Sequence, residues 1–229
     1  MGSTFDEMFH QAAPLVLRQA HQRDAPPADG GLRWPVSAVL LPDAPTVDTL
    51  DRLTREATGL AGVSHFHTGA EGSAHFTVRA LEKRRDAATS DDVLVRRYDA
   101  AMGAAARRCR PVSLHITGLT LTAGSVMACA FPLDSAADDF MDAFTQELGP
   151  DAWFEDFRRD IWYSTLVHFA ADIDRPEELV AWVDARRHTD FGIARMNLAS
   201  LVRFHYCAAD GRPRMRPELL GSAVLSGST

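Results

Sequence analysis

The apolar residues of this chain recur with two different periods, and the changes between these periods divide it into helices and strands. Residues 4–23 carry apolar side chains every three to four positions, which predicts an N-terminal helix, and a tract rich in Pro and Gly follows at residues 24–31. Residues 34–41 form a β-compatible run, after which a second helical pattern begins at Thr46. The first part of the chain therefore predicts a helix, a linker, a strand and a helix.

The remainder alternates short strands with helices in two roughly similar halves. Strand patterns at residues 63–68 and 74–81 flank a Gly-rich turn and predict a hairpin, and a helix starts at Ser90. The second half predicts strands at residues 112–121, 125–131, 161–171, 199–207 and 216–225, helices from Asp134 and over residues 174–187, and a turn at residues 209–211. This order indicates an α+β protein.

Composition and charge exclude several classes of protein. The 229 residues are 46% apolar and 24% charged, which is typical of an ordinary globular chain and excludes disordered, collagen-like and coiled-coil proteins. A net charge of −7 disfavours nucleic acid as a partner, and no stretch approaches the ~20 apolar residues of a membrane span. Three cysteines at unrelated spacing provide neither a disulfide framework nor a zinc ribbon, so we expect a cytoplasmic protein.

The strand pattern at residues 74–81 places three functional side chains on one face. Because side chains alternate along a strand, His75, Thr77 and Arg79 are expected to point one way and the apolar residues between them the other way. An imidazole can transfer protons near neutral pH, and a hydroxyl group two residues away can donate a hydrogen bond to a phosphate oxygen. This face is therefore our first candidate for acid/base chemistry.

A similar hydroxyl-bearing segment occurs in the second half, where residues 163–167 read Tyr-Ser-Thr-Leu-Val. Residues 75–78, His-Phe-Thr-Val, resemble the H-x-T-hydrophobic motif of the two-histidine (2H) phosphoesterase superfamily, which includes the bacterial RNA ligase-like proteins and cyclic phosphodiesterases. The resemblance implies two pseudo-symmetric lobes of antiparallel sheet, with helices on their outer faces, around a central cleft. It also implies one bilobal domain over residues 34–229, preceded by the N-terminal helix and linker at residues 1–33.

The resemblance further implies metal-independent acid/base catalysis, without a cofactor, on a small phosphorylated substrate that is a cyclic phosphate or related to a nucleotide. His75 is then a catalytic residue, and Thr77, Thr165 and Arg79 bind the substrate. At the second motif Tyr163 occupies the position of the histidine, and losing one imidazole is expected to cost about 10²–10⁴ in rate. The alternative is a non-hydrolytic descendant that binds a ligand or catalyses another step in specialised metabolism.

Other residues are candidates for the role of the missing histidine. Tyr163 itself is one, and His115, which opens a third H-x-T, can reach the cleft from a neighbouring strand, where Thr117 at the end of that motif would bind the substrate. His168 has the opposite strand parity to Thr165, so both can face a bound substrate only if a bulge intervenes. Two histidines just before the first motif share parity, but no third ligand is identifiable nearby, so we expect no metal site. An aromatic cluster at residues 153–163 belongs either to the core or to one wall of the pocket.

Overall fold

Five helices and nine strands make up the described part of the chain, residues 4–208 and 213–227, in the computed structural model. The helices are α1 (Thr4–Leu17), α2 (Ala44–Ala61), α3 (Val93–Ala106), α4 (Ala136–Leu148) and α5 (Pro176–Asp184), and a 3-10 helix spans Gly149–Phe154. The strands are β1 (Ser37–Leu41), β2 (Phe66–His67), β3 (Phe76–Ala80), β4 (Val112–Thr122), β5 (Ser125–Pro132), β6 (Trp162–His168), β7 (Asp190–Met196), β8 (Leu198–Cys207) and β9 (Arg214–Val224). The predicted turn at residues 209–211 lies outside the described residues.

The strands form one sheet in the order β3-β1-β8-β9-β2-β6-β5-β4-β7. Strands β3, β1, β8 and β9 are antiparallel to one another, and so are β2, β6, β5, β4 and β7. Among the residues that the structure describes, the two groups are joined as paired strands only by a short parallel pairing between His67 of β2 and Arg214 of β9. The α+β class is confirmed, but the two groups do not follow the order of the chain: β8 and β9, late in the sequence, join β1 and β3, and the early strand β2 joins the other group.

Two of the predicted strand arrangements differ from the structure. The patterns at residues 63–68 and 74–81 do not form a hairpin, because β2 pairs with β6 and β9 whereas β3 pairs with β1. The sequence pattern also missed β7, which pairs with β4 at the edge of the sheet. Most side chains of β7 are exposed, so no apolar alternation marks this strand. Asp43, rather than Thr46, caps α2, since its carboxylate accepts a hydrogen bond from the backbone N–H of Thr46.

The N-terminal segment packs into the same core as the rest of the chain. Helix α1 buries Phe5, Phe9 and Val16, and the carbonyl of Phe5 accepts a 2.7 Å hydrogen bond from Thr120 Oγ1 of β4. The linker then crosses the ends of β5 and β6. There the backbone N–H of Gln22 donates to the carbonyl oxygen of Ala123, and the backbone N–H of Asp24 donates to that of Phe169. The boundary proposed at residue 33 thus divides two segments that share one core.

Among residues 4–208 and 213–227, no helix combines the length and the apolar character that crossing a membrane requires.

Candidate active site

A cavity of about 420 Å³ lies between the two halves of the sheet, and residues of both motifs line it. His75 and Thr77 line it from the first half, and Tyr163, Thr165 and His168 line it from β6 in the second half. Although β3 and β6 are not paired, their backbones approach within 8 Å. The structure therefore brings together five of the eight residues that the sequence analysis assigned to catalysis or substrate binding.

A β-bulge explains why His168 shares this cavity with Thr165. In the pairing of β5 with β6, Thr165 lies opposite Met127 and Val167 lies opposite Val126, so Leu166 is an extra residue. An extra residue inverts the alternation of side chains beyond it. The bulge on which the placement of His168 depended is therefore present, and both side chains face the cavity.

The equivalent bulge in β3 removes Arg79 from the cavity. Thr77 pairs with Val39 and Arg79 pairs with Ala38, so Val78 is the extra residue, and Ala80 lines the cavity instead. The Arg79 guanidinium is buried and donates hydrogen bonds to Thr145 Oγ1 at 3.1 Å and to the carbonyl oxygens of residues 152 and 155. This corrects the prediction that Arg79 binds substrate, because its side chain instead anchors the end of the 3-10 helix.

His75 presents one unprotonated nitrogen to the cavity. Its Nδ1 lies 2.7 Å from the carbonyl oxygen of Ser73, and its ring packs 4.7 Å from that of Phe204. Because a carbonyl oxygen can only accept, Nδ1 carries the proton and Nε2 is left as an acceptor. Burial, assisted by nearby His168, lowers the pKa of His75 to about 4, against the opposing effect of the Ser73 hydrogen bond. The imidazole is therefore neutral at pH 7, and its Nε2 is free to accept a proton.

His168 directs both of its ring nitrogens at protein groups. Its Nε2 lies 3.2 Å from Thr68 Oγ1, which donates a 2.9 Å hydrogen bond to the carbonyl oxygen of Thr165. The other nitrogen, Nδ1, is buried 3.4 Å from the Asp24 carboxylate. Burial lowers the pKa of His168, and Asp24 opposes that effect.

Two arginines that the sequence analysis missed also line the cavity. Arg159 Nη1 donates to Tyr163 Oη at 3.5 Å and forms an ion pair with Glu155. Arg33, from the linker, forms an ion pair with Asp24, whose side chain is only 3% exposed. Neither arginine belongs to a motif, so no local pattern marks them. The cavity nevertheless combines a base, five residues with hydroxyl groups and two arginines that are each paired with a carboxylate, and such N–H and O–H donors can bind an anionic ligand.

Aromatic side chains form another part of this cavity. Phe154 and Phe157 line it from the end of the 3-10 helix and the segment that follows, and Trp34 and Phe204 line it from the linker and β8. The Trp34 ring contacts the rings of both His168 and Phe204. Part of the predicted aromatic cluster thus belongs to the wall of the pocket.

The structure does not bring His115 and Thr117 to this cavity. Strand β5 separates β4 from β6, so the third H-x-T lies farther along the sheet. His115 Nε2 is 2.8 Å from Asp190 of β7, and Thr117 lines a separate cavity of about 200 Å³ beside α1. This corrects their assignment to the site. Within the described ranges, no group of three or more side chains is arranged to hold a metal ion.

Comparison with known proteins finds similarity at the level of structure. No protein-family model matches the chain, and no curated protein matches its sequence significantly. The protein TT0787 of Thermus thermophilus superimposes with a TM-score of 0.56 at 16% identity, covering 85% of this chain and 99% of that one. LigT of E. coli, complexed with 3'-AMP, gives 0.54 at 12% identity, covering 84% and 98%, and a further phosphoesterase gives 0.51 at 14% identity, covering 83% and 98%. The chain therefore has the fold of the two-histidine phosphoesterases.

Proposed function

We propose that this protein is a phosphoesterase-like enzyme that hydrolyses a small phosphorylated substrate, a cyclic phosphate related to a nucleotide, by acid/base catalysis without a metal. The observation that carries the proposal is that His75 and Thr77 of one half share a cavity with Tyr163 and Thr165 of the other. The structures of LigT with 3'-AMP and with phosphate, which have a similar fold, support a phosphorylated ligand.

His75 is the base in this proposal. Its Nε2 has no hydrogen-bond partner among the described residues and can accept the proton of a water molecule that attacks phosphorus. As the new P–O bond forms, the P–O bond to the leaving oxygen breaks. Because the pKa of His75 is well below 7, the imidazole is in the required neutral form at neutral pH.

Tyr163 takes the place of the second histidine and donates its hydroxyl proton to the leaving oxygen. The Arg159 guanidinium beside Tyr163 Oη stabilises the negative charge that this transfer leaves on the phenolic oxygen. When the product leaves, His75 releases the proton that it accepted to solvent, and Tyr163 regains a proton from solvent. Thr77 and Thr165 donate hydrogen bonds to the non-bridging phosphate oxygens.

Hydrolysis of 2',3'-cyclic nucleotides in buffer containing EDTA tests the proposal. The wild-type protein is expected to release nucleoside monophosphate, and His75→Ala to lower kcat by about 10²–10⁴. His115→Ala is the matched control, because His115 also opens an H-x-T but lies outside the cavity. Unchanged turnover in His75→Ala, or equal losses in both variants, would refute the role of His75.

The alternative, a non-hydrolytic descendant, predicts a different result in the same experiment. If the cyclic nucleotides raise the Tm of the wild-type protein but none is hydrolysed, the cavity binds ligand without catalysing hydrolysis. The free Nε2 of His75 favours the enzyme, because a cavity used only for binding has no need of an unpartnered base.

A further inference from the structure

A second cavity, of about 290 Å³, adjoins the first along one shared wall. Arg33, Tyr163, Thr165 and His168 line both cavities, whereas His75 lines only the first. The remaining walls of the second cavity come from α1, the linker, the turn between β4 and β5, and the apolar side chains of Met127 and Ile161. The N-terminal segment thus closes a space beside the proposed catalytic groups.

Arg33 is held where a phosphate can bind at the shared wall. Its Nη2 forms the ion pair with Asp24, and the backbone N–H of Asp24 donates to the carbonyl oxygen of Phe169 at 2.6 Å. The Arg33 side chain is 57% exposed, and its other N–H groups have no partner among the described residues. A guanidinium oriented in this way can donate two parallel hydrogen bonds to a phosphate.

The two cavities differ in the chemistry of their walls. The first is walled by aromatic rings, among them Trp34, Phe157 and Phe204, which favour a flat group such as a nucleobase. The second contains the hydroxyl groups of Thr122 and Ser125, 2.8 Å apart, together with Gln22, beside the apolar side chains of Met8, Met127 and Ile161. Hydroxyl and amide groups pair best with a ligand that itself carries hydroxyl groups.

We infer that the second cavity is a subsite for the second substituent of a phosphodiester, with the phosphate at the shared wall, a flat group in the first cavity and a small polyol group in the second. This inference rests on the proposed function and extends its substrate class from cyclic phosphates to linear diesters. Each volume lies near the lower end of the ~300–1,000 Å³ range of ligand pockets, so each cavity suits one substituent. A cyclic nucleotide would leave the second cavity without a ligand group.

Calorimetry tests the inference by measuring the binding of two esters of AMP to His75→Ala. This variant retains Arg33, the phosphate-binding arginine. The glyceryl ester carries a polyol in place of the methyl group of the methyl ester. We expect the glyceryl ester to bind about tenfold more tightly, the effect of one or two added hydrogen bonds. Met8→Trp, introduced in the same background, fills the second cavity and should remove this preference without weakening the methyl ester. Gln11→Trp, on an exposed position of α1 outside the cavity, is the matched control.

The possible results separate the inference from the proposed function. Equal affinities for the two esters, equal effects of the two tryptophan variants, or no binding of either ester would overturn the subsite. Hydrolysis of cyclic nucleotides by the wild-type protein is unaffected by these outcomes and tests the proposed function on its own. Circular dichroism spectra and Tm values that match the parent protein establish that both tryptophan variants are folded.

Discussion

Val78 and Leu166 are the extra residues of two bulges that directly follow the motif threonines, one in each half of the sheet. As a consequence, both halves present three equivalent positions to one cavity. The first half fills them with His75, Thr77 and Ala80, and the second half fills them with Tyr163, Thr165 and His168. A second imidazole is therefore present, but it lies three residues after the threonine rather than two before it. There both of its nitrogens face protein groups.

The lowered pKa of His75 predicts an unusual pH profile. A base with a pKa of about 4 stays neutral as the pH falls from 7 to 5, so kcat/KM for a cyclic nucleotide should remain constant there and decrease only near pH 4. The measurement is a pH–rate profile, supported by an NMR titration of the His75 ring protons. A decrease in kcat/KM centred near the ordinary histidine value of 6.5 would contradict the burial of this imidazole.

The same shift predicts a loss of stability in acid. The folded pKa of His75 lies below the unfolded value of 6.5, so the unfolded chain binds more protons between these values. The contribution of neutral His75 to the free energy of unfolding is therefore complete above pH 6.5 and decreases as the pH falls towards 4. Urea unfolding of the wild type and His75→Gln between pH 4 and 7 measures this contribution. If the free energies of unfolding of the two proteins change in parallel with pH, the predicted contribution is disproved.

Substitutions at Tyr163 test whether its hydroxyl donates a proton. Tyr163→Phe removes only that group and should lower kcat about 10²-fold with little change in KM. Tyr163→His places an imidazole at the position equivalent to His75 and should restore or raise kcat. The pH profile of kcat should then show a further group with a pKa of ~6.5. Tyr206→Phe, on an exposed tyrosine of β8 outside the cavity, is the control. Full activity in Tyr163→Phe would exclude the hydroxyl as the acid.

Asp24 is expected to support both the fold and the binding of phosphate. Asp24→Asn weakens the ion pair that orients Arg33, and we expect KM to rise about tenfold and the free energy of unfolding to fall by about 1–3 kcal/mol. Asp172→Asn is the matched control, because Asp172 also pairs with an arginine but is 76% exposed, and it should cost less than about 1 kcal/mol. Steady-state kinetics and urea unfolding report the two effects. Similar values for both variants would show that the buried carboxylate has no special role.

Gly118 of β4 is predicted to tolerate no side chain. Its φ is +94°, and a Cβ atom there would lie 1.8 Å from the carbonyl oxygen of Arg187. Gly118→Ala should therefore lower the free energy of unfolding by more than about 2 kcal/mol. Gly103→Ala, in α3 where a Cβ meets no backbone atom within 4 Å, should raise it by up to about 1 kcal/mol. Urea unfolding distinguishes them, and a stable Gly118→Ala variant would contradict this packing.

Local patterns determined much of the fold. The periods of apolar residues located all five helices and eight of the nine strands in the described residues, because burial of one face imposes these periods on consecutive positions. Strand alternation identified His75 and Thr77 as groups to examine, and the resemblance to the H-x-T motif added Tyr163 and Thr165, since each motif spans only a few residues of one strand. The apolar pattern did not locate the edge strand β7, because its exposed side chains follow no apolar period.

Only the tertiary structure decided which of these side chains meet. Bulges depend on the pairing of each strand with its neighbour, so strict alternation placed Arg79 in the cavity and left His168 undecided. The contributions of Asp24 and Arg33 depend on a linker whose backbone hydrogen bonds reach strands far away in the sequence. These relations depend on contacts between segments that are distant in the sequence, so a local pattern of residues cannot predict them.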